Sequence, residues 1–382
     1  MMAEKRAGIF IYYEWLSVSP SLVSTIRLLT ENGYFVDVFH LCDETIDIFK
    51  PESDRVSSMV VKSGKTKWLT LILFFINSIK NVLKHKYSFF IGVDQEGIIA
   101  AGMLGKIKKT PYIYYSLEII TKEDVAKEKG LRKSVLKIRK SLENYFSKNA
   151  QITITQDNYR TDVLVEDNDI DRNRVLIVPN SYYFTNQKPC NFNLQIPADK
   201  KIIIYTGSII PEMAIEEIVN GVDSWPKNTL LLLHAPYSTD YLEEIRQLIK
   251  KNNIEQKVII STGQLSFEDL CCLIKKADIG ISFYRPINKS FALGPAGKVS
   301  FYLSQGIPII TNKIPSVVDL VKEYRCGICV DSAKGLGDAI RTILDNYSEF
   351  SANTRICYEK ELEFSKYFKK VLEKIESSFR NN

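Results

Sequence analysis

The 382-residue sequence holds only three histidines, at positions 40, 85 and 234. None has metal-type spacing to another, and no Gly-x-Ser-x-Gly elbow is present, which excludes the familiar zinc and serine-hydrolase layouts. His40 sits inside a strand-like run and reads as core, His85 lies in a basic Lys-His-Lys run, and His234 ends a strand where it could face phosphate or sugar. Cysteines number seven, an odd count that argues against a disulfide framework. The Cys326-Gly-Ile-Cys329 pair reads as part of a strand, whereas a redox pair should open a helix. Long apolar runs are missing too. The longest, Trp68–Ile76, is about half the ~20 residues a membrane span needs. The N-terminal apolar run is broken at Glu14 with no small-residue cleavage site behind it, so it reads as a first strand and a cytoplasmic protein is expected. Asp167–Asp171 (DNDID) lacks the glycine of a calcium loop, having Arg172 next, and reads as a solvated loop.

Positive charge is present and uneven. The net charge is +6, yet residues 62–150 carry 18 Lys/Arg against seven Asp/Glu, leaving the remainder net negative. Within that region Lys62–Lys86 flanks an apolar helix-like run with lysines. The segment Gly130–Phe146 sets Leu131, Val135, Ile138, Leu142 and Tyr145 on one helical face among five basic residues. Two explanations stay open here. The stripes are core faces with lysines in solvent, or they lie on an anionic membrane surface. Nucleic acid is not expected as a partner, because no recognised module accompanies the charge.

Apolar strand-like runs alternate with helix-like segments almost throughout. Six fall in the first half (Ala7–Tyr13, Tyr34–Leu41, Tyr87–Asp94, Thr110–Ser116, Ala150–Thr155, Arg174–Asn180). Six more follow (Lys200–Gly207, Asn228–Ala235, Lys257–Gly263, Ala277–Tyr284, Ile307–Thr311, Cys326–Asp331). Continuous β-branched runs separated by helices predict parallel strands buried on both faces. The polar stretch 180–200 reads as a linker. The expected fold is α/β, with two doubly wound, Rossmann-like parallel-sheet domains facing a cleft: residues 1–184, completed by a C-terminal helix at about 359–382, and residues 185–358. Ligands in such sheets sit beyond the carboxyl ends of the strands.

Among the strand-end loops, Gly294–Ile310 (GPAGKVSFYLSQGIPII) places a lysine beside a glycine-rich helix entry, a pattern suited to phosphate. A Walker A loop is excluded, since Ala292 and Val299 stand where glycine and Ser/Thr are required. The loop at Gly207 and Ser208 offers small residues and a helix N-terminus. In the loop Thr262–Leu270, Ser266 reads as an N-cap, while Gln264 and the Leu265 backbone are candidates for reading a base. In the first half Asp94 and Glu118 are carboxylates at strand ends, and either could take a proton from an acceptor hydroxyl.

Taken together, Asp278, Lys298, Gly306, Pro308, Gly327 and Val330, with the loop after Lys200–Gly207 and the closing helix 359–375, resemble the donor-binding lobe of GT-B glycosyltransferases of the family 4-like, bacterial surface-polysaccharide type. The resemblance covers about residues 200–375 and the first half only in outline. It implies an enzyme that moves a sugar, with retention, from a nucleoside-diphosphate sugar, UDP-linked, to a hydroxyl of a glycan or lipid-linked acceptor. It implies no metal and no further cofactor. Lys298 would bind the diphosphate, assisted by Arg285 and the backbone around Gly207 and Gly297. A cationic site of this kind stabilises the charge that builds on the departing diphosphate. Glu118 or Asp94 would act on the acceptor side, unless the leaving phosphate itself takes the proton. The chain departs from the pattern at Ser208 and Met213, where relatives carry Arg and Lys. It departs again at Phe301, where they carry the second of two acids, and at Glu14–Ser21, where they carry a glycine-rich loop. Those departures keep a catalytically silent partner protein open as an alternative. A sugar-nucleotide 2-epimerase, which shares the architecture, is disfavoured by the scattered histidines.

Overall fold

A computed structural model of the chain describes residues 5–14, 16, 19–42, 53–62, 66–184, 194–294 and 297–379. It divides into two compact units, Met1–Tyr183 with Phe364–Asn382, and Phe184–Glu363. Parts of two segments singled out above, the Glu14–Ser21 loop and the linker, lie outside the described residues.

The N-terminal unit is built on β1 (Arg6–Ile11), β2 (Phe35–Cys42), β3 (Val56–Lys62), β4 (Phe89–Val93), β5 (Tyr112–Tyr115), β6 (Ile152–Thr155) and β7 (Val175–Ile177). All pair in parallel, in the order β3-β2-β1-β4-β5-β6-β7. Its helices are α1 (Pro20–Glu31), α2 (Lys67–Val82), α3 (Asp94–Lys108), α4 (Lys122–Lys127), α5 (Gly130–Lys148) and α6 (Asn158–Asn168). The C-terminal unit holds β8 (Lys201–Thr206), β9 (Thr229–Ala235), β10 (Val258–Thr262), β11 (Ile279–Ser282), β12 (Ile309–Asn312) and β13 (Gly327–Val330). They too are parallel, ordered β10-β9-β8-β11-β12-β13. Around them run α7 (Ile215–Gly221), α8 (Asp240–Lys251), α9 (Phe267–Lys275), α10 (Lys289–Ala292), α11 (Gly297–Ser304), α12 (Pro315–Tyr324), α13 (Leu336–Asp345) and α14 (Tyr347–Cys357). The last helix, α15 (Phe364–Phe379), belongs to the N-terminal unit.

The twelve apolar runs each become a strand, as the doubly wound reading requires. The edge strand β3 is the addition. Its sequence VSSMVVK is half polar and half exposed, so it carries little apolar periodicity. In β1 the side chains alternate: Ile9 and Ile11 join one core, and Phe10 joins the other. The first of these cores is closed by Phe364, Phe368, Val371 and Ile375 of α15. Their spacing puts them along one face of that helix, which ties the chain's end to the N-terminal sheet.

Two glycines admit close packing that a methyl group would block. A Cβ at Gly97 would lie 2.3 Å from the Phe10 carbonyl oxygen, so α3 can sit directly on the sheet. A Cβ at Gly280 would lie 2.2 Å from the Tyr302 ring, which occupies the space above β11. From there the Tyr302 hydroxyl accepts the Thr206 backbone N–H at 2.9 Å, pinning α11 to the end of β8. Gly280→Ala is therefore expected to destabilise the protein by about 1–3 kcal/mol, with a lowered melting temperature in a thermal scan. An unchanged melting temperature would show that Tyr302 can move aside without loss.

Beneath α5 lies a buried polar network. Lys140 Nζ binds Asp167 at 2.7 Å, Asn168 at 2.7 Å and Glu143 at 3.3 Å, while Glu143 also accepts from Gln95 at 2.8 Å and from Tyr114 at 2.9 Å. This corrects the view of Asp167–Asp171 as merely solvated: Asp167 is paired with Lys140, Asp169 with Lys148, and Asp171 caps the turn that follows. The cysteine reading needs one correction as well. Cys272 is disulfide-bonded, while Cys42, Cys271, Cys326, Cys329 and Cys357 are free.

Candidate functional site

In both sheets strand order reverses beside the first strand, between β1 and β4 and between β8 and β11. A doubly wound sheet opens a ligand crevice at such a switch point, beyond the carboxyl ends of the strands. In the C-terminal unit Lys298 occupies that place. It lies in the first turn of α11, one turn before Tyr302, so the contact that pins Tyr302 also aims Lys298 over the end of β8. Its Nζ is 3.1 Å from the Tyr205 hydroxyl and 3.8 Å from the Met213 sulfur. It also stands over two rings, 4.3 Å from the centre of Tyr205 and 5.0 Å from that of Tyr284. Among the described residues no carboxylate pairs with it. Burial without a counter-charge pushes the Lys298 ammonium down to about 7.

Gly207 completes the floor. Its φ of +123° is a conformation that favours glycine, and a Cβ there would point at Lys298 Cε and Nζ, 3.7 and 3.8 Å away. Tyr205 donates to the Ser208 carbonyl at 2.7 Å, and Ser208 Oγ bonds the Tyr237 hydroxyl at 2.8 Å, so this loop is held from both sides. Among the described residues the cation has rings, a phenol hydroxyl, a thioether and a glycine backbone around it. It is suited to an anion with several oxygens.

The other C-terminal candidates fall nearby or apart. His234 ends β9, and its carbonyl accepts the Gly207 N–H at 3.0 Å. Its imidazole is buried against Ser261 Oγ at 3.1 Å, and desolvation lowers it to about 4, so it is neutral at physiological pH. Gln264 and Leu265 lie in the loop between β10 and α9, with Gln264 exposed. Ser266 caps α9, accepting the Asp269 N–H at 3.1 Å. Gly297 opens α11. Arg285 follows Tyr284, but its guanidinium grips Glu217 in a bidentate pair at 2.7 and 2.8 Å, so an anion would have to compete with that carboxylate. Phe301 is buried and stacked on Phe267, ring centres 5.7 Å apart, and supplies core packing where the resembling family carries an acid.

In the N-terminal unit the structure brings Asp94 and Glu118 together. Asp94 follows β4 and opens α3 with φ +54°, a left-handed conformation that Asp and Asn tolerate best among side-chain-bearing residues. Its Oδ1 accepts two backbone N–H groups, from Leu117 at 2.6 Å and from Glu118 at 2.8 Å. Burial, and next the Glu118 charge, push the Asp94 carboxyl up to about 8. Glu118 itself is exposed. Sequence reasoning gave Arg160 no part in this group. It is 1% exposed, donates to the Leu117 carbonyl, and adds positive charge beside both acids. The only local sign was its place three residues after the N-cap Asp157, whose carboxylate accepts the Arg160 N–H at 2.8 Å. Tyr205 and Tyr284 were missed around Lys298 because both lie within strand runs that read simply as core.

Residues 239–375 match the family described as Glucosyltransferase 3-like, C-terminal domain. A chitobiosyldiphosphodolichol beta-mannosyltransferase from Debaryomyces hansenii is 24% identical over 144 residues, 35% of this chain and 29% of that protein, so the match spans under a third of its length. Sucrose-phosphate synthase from Thermosynechococcus elongatus superposes with a TM-score of 0.75 at 15% identity, covering 99% of this chain and all of its own. HepE from Anabaena, solved in complex with UDP, superposes with a TM-score of 0.67 at 11% identity, over 98% of this chain and 100% of its own. The chain therefore has the GT-B glycosyltransferase fold, and its segment 239–375 is matched by the Glucosyltransferase 3-like C-terminal domain.

Proposed function

We propose that the protein is a glycosyltransferase that moves a hexosyl or related sugar from a nucleoside-diphosphate donor, UDP-linked, to a hydroxyl of a glycan or lipid-linked acceptor in bacterial cell-surface polysaccharide synthesis. The setting we propose is the cytoplasm, with the acceptor presented at the inner face of the cell membrane. One observation carries the reading: Lys298 is a half-buried cation that no carboxylate pairs with among the described residues, held over the Gly207 backbone at the switch point of the C-terminal sheet. The structurally similar HepE has been solved with UDP and with UDP-glucose.

As the bond from sugar to diphosphate breaks, negative charge grows on the leaving group. Lys298 and backbone N–H groups at the α11 entry would meet it, with no metal in the proposed scheme. Arg285 would join only by releasing Glu217. On the acceptor side Asp94, held by two N–H groups beside Glu118, would take the proton of the acceptor hydroxyl. With retention of configuration, the leaving phosphate takes that proton instead.

The test is a thermal-shift panel of UDP, GDP, ADP, CDP and CMP on the full chain, followed by assay of UDP-sugar turnover. A ligand at a hundred times its Kd should stabilise by about 2.7 kcal/mol. A shift with one diphosphate, with turnover, supports the proposal. A shift without turnover favours a silent binding protein, the reading that the buried Phe301 ring supports. Absence of any shift overturns both.

A further inference from the structure

Two helices of the N-terminal unit turn large apolar side chains outward. Helix α2 turns Thr70, Phe74, Ser78 and Val82 towards the sheet, all at most 4% exposed, at a strict four-residue spacing. Six other apolar side chains, Trp68, Leu69, Ile72, Leu73, Ile76 and Ile79, face outward and are 36–58% exposed. Helix α5 does the same. It buries Lys140 and Glu143 in the polar network, and exposes Leu131, Ile138, Leu142 and Tyr145. The stripe read from its sequence is thus a solvent face for the most part, with only Val135 half-buried. Helix α3 packs against both and adds exposed Met103 and Ile107, and its Lys106 Nζ lies 4.2 Å over the Tyr145 ring, linking α3 to α5.

An apolar surface spread over three adjacent helices is rare on a protein that stays in water. Exposed cations fringe it: Lys80, Lys84 and Lys86 at the end of α2, Lys106 and Lys109 at the end of α3, and Lys137 on α5. We infer that the α2–α3–α5 face docks on an anionic lipid bilayer, with the outward Trp, Leu and Ile side chains inserted at headgroup level and the lysines on lipid phosphate. No described helix is long and apolar enough to cross a membrane, so α2 lies in the plane of the surface. A second copy of the chain is a poorer occupant, because a two-fold contact would press this strongly basic region against itself. The inference deepens the reading of a membrane-presented acceptor and is tested apart from it, with vesicles in the absence of nucleotide and with UDP in the absence of vesicles.

The experiment is co-sedimentation of the full chain with vesicles of phosphatidylcholine alone and of phosphatidylcholine mixed with phosphatidylglycerol. Binding is expected to the mixed vesicles only, to weaken with salt, and to shift tryptophan emission to the blue. The double variant Ile72→Ser/Ile76→Ser alters exposed positions only. It should keep the wild-type melting temperature and nucleotide response while partitioning at least about tenfold less to the mixed vesicles. Lys80→Glu/Lys84→Glu should weaken the same binding. No binding by the wild type, or binding that both variants leave unchanged, overturns the inference. So does self-association lost in the serine variant without any vesicle binding.

Discussion

Replacing Lys298 with methionine is expected to raise the melting temperature of the ligand-free protein and to abolish its stabilisation by UDP. The two effects share one cause. Lys298 is partly desolvated, and among the described residues no carboxylate stands beside it, so its charge costs stability until an anion arrives. Methionine keeps most of the volume and removes the charge. Its folded-state pKa, about 7, lies below the ordinary lysine value of 10.5, so the unfolded chain binds more protons between those limits. The cost of the charge is therefore complete below pH 7 and fades as pH rises towards 10.5. The variant's advantage, on the order of 2 kcal/mol or roughly 4–8 °C, should be largest at pH 6 and nearly gone at pH 10. Wild-type affinity for UDP should fall between pH 7 and pH 9 as the ammonium loses its proton. A variant that melts lower than wild type at pH 6, or still responds to UDP, would remove Lys298 from the donor site.

The second large effect belongs to Asp94→Asn. Asparagine accepts the left-handed backbone and can present its carbonyl oxygen to the Leu117 and Glu118 N–H groups, so the fold is retained. What disappears is a group that can take a proton. If Asp94 is the acceptor-side base, turnover should drop about 100-fold or more, and the rise in wild-type rate towards pH 8 should vanish. Stability supplies an independent readout. The folded carboxyl holds its proton up to about pH 8 and the unfolded one only to about 3.8, so wild-type stability should decline as pH rises across that window. The asparagine variant should show a flatter profile, gaining on the order of 2–4 kcal/mol relative to wild type at pH 9. A flatter profile with unchanged turnover would leave Asp94 a structural residue and the leaving phosphate as the base.

The alternation of apolar runs was enough to predict both sheets, because parallel strands buried on two faces need continuous β-branched sequence. Edge strand β3 escaped that logic, since a strand half in water has no reason to be apolar. Lys298 was legible for a similar local reason: glycine and lysine at a helix entry announce themselves in a few residues. The rings that surround it come from 93 and 14 positions away, and nothing in the sequence around Tyr205 or Tyr284 tells a ring under a cation from a ring in the core. The helices show the sharpest limit. The spacing of Leu131, Ile138 and Leu142 marks a helix and a face, but periodicity carries no sign, so it cannot say whether that face looks in or out.

The polar network beneath α5 decides that sign. Rolling the helix about its axis to hide Leu131, Ile138 and Leu142 would tear Lys140 and Glu143 from Asp167, Asn168, Gln95 and Tyr114 and leave charges stranded on their partners. The buried ions work as a key in a shaft. They stabilise α5 less than a greasy core would, and they forbid the one rotation that would make its surface ordinary.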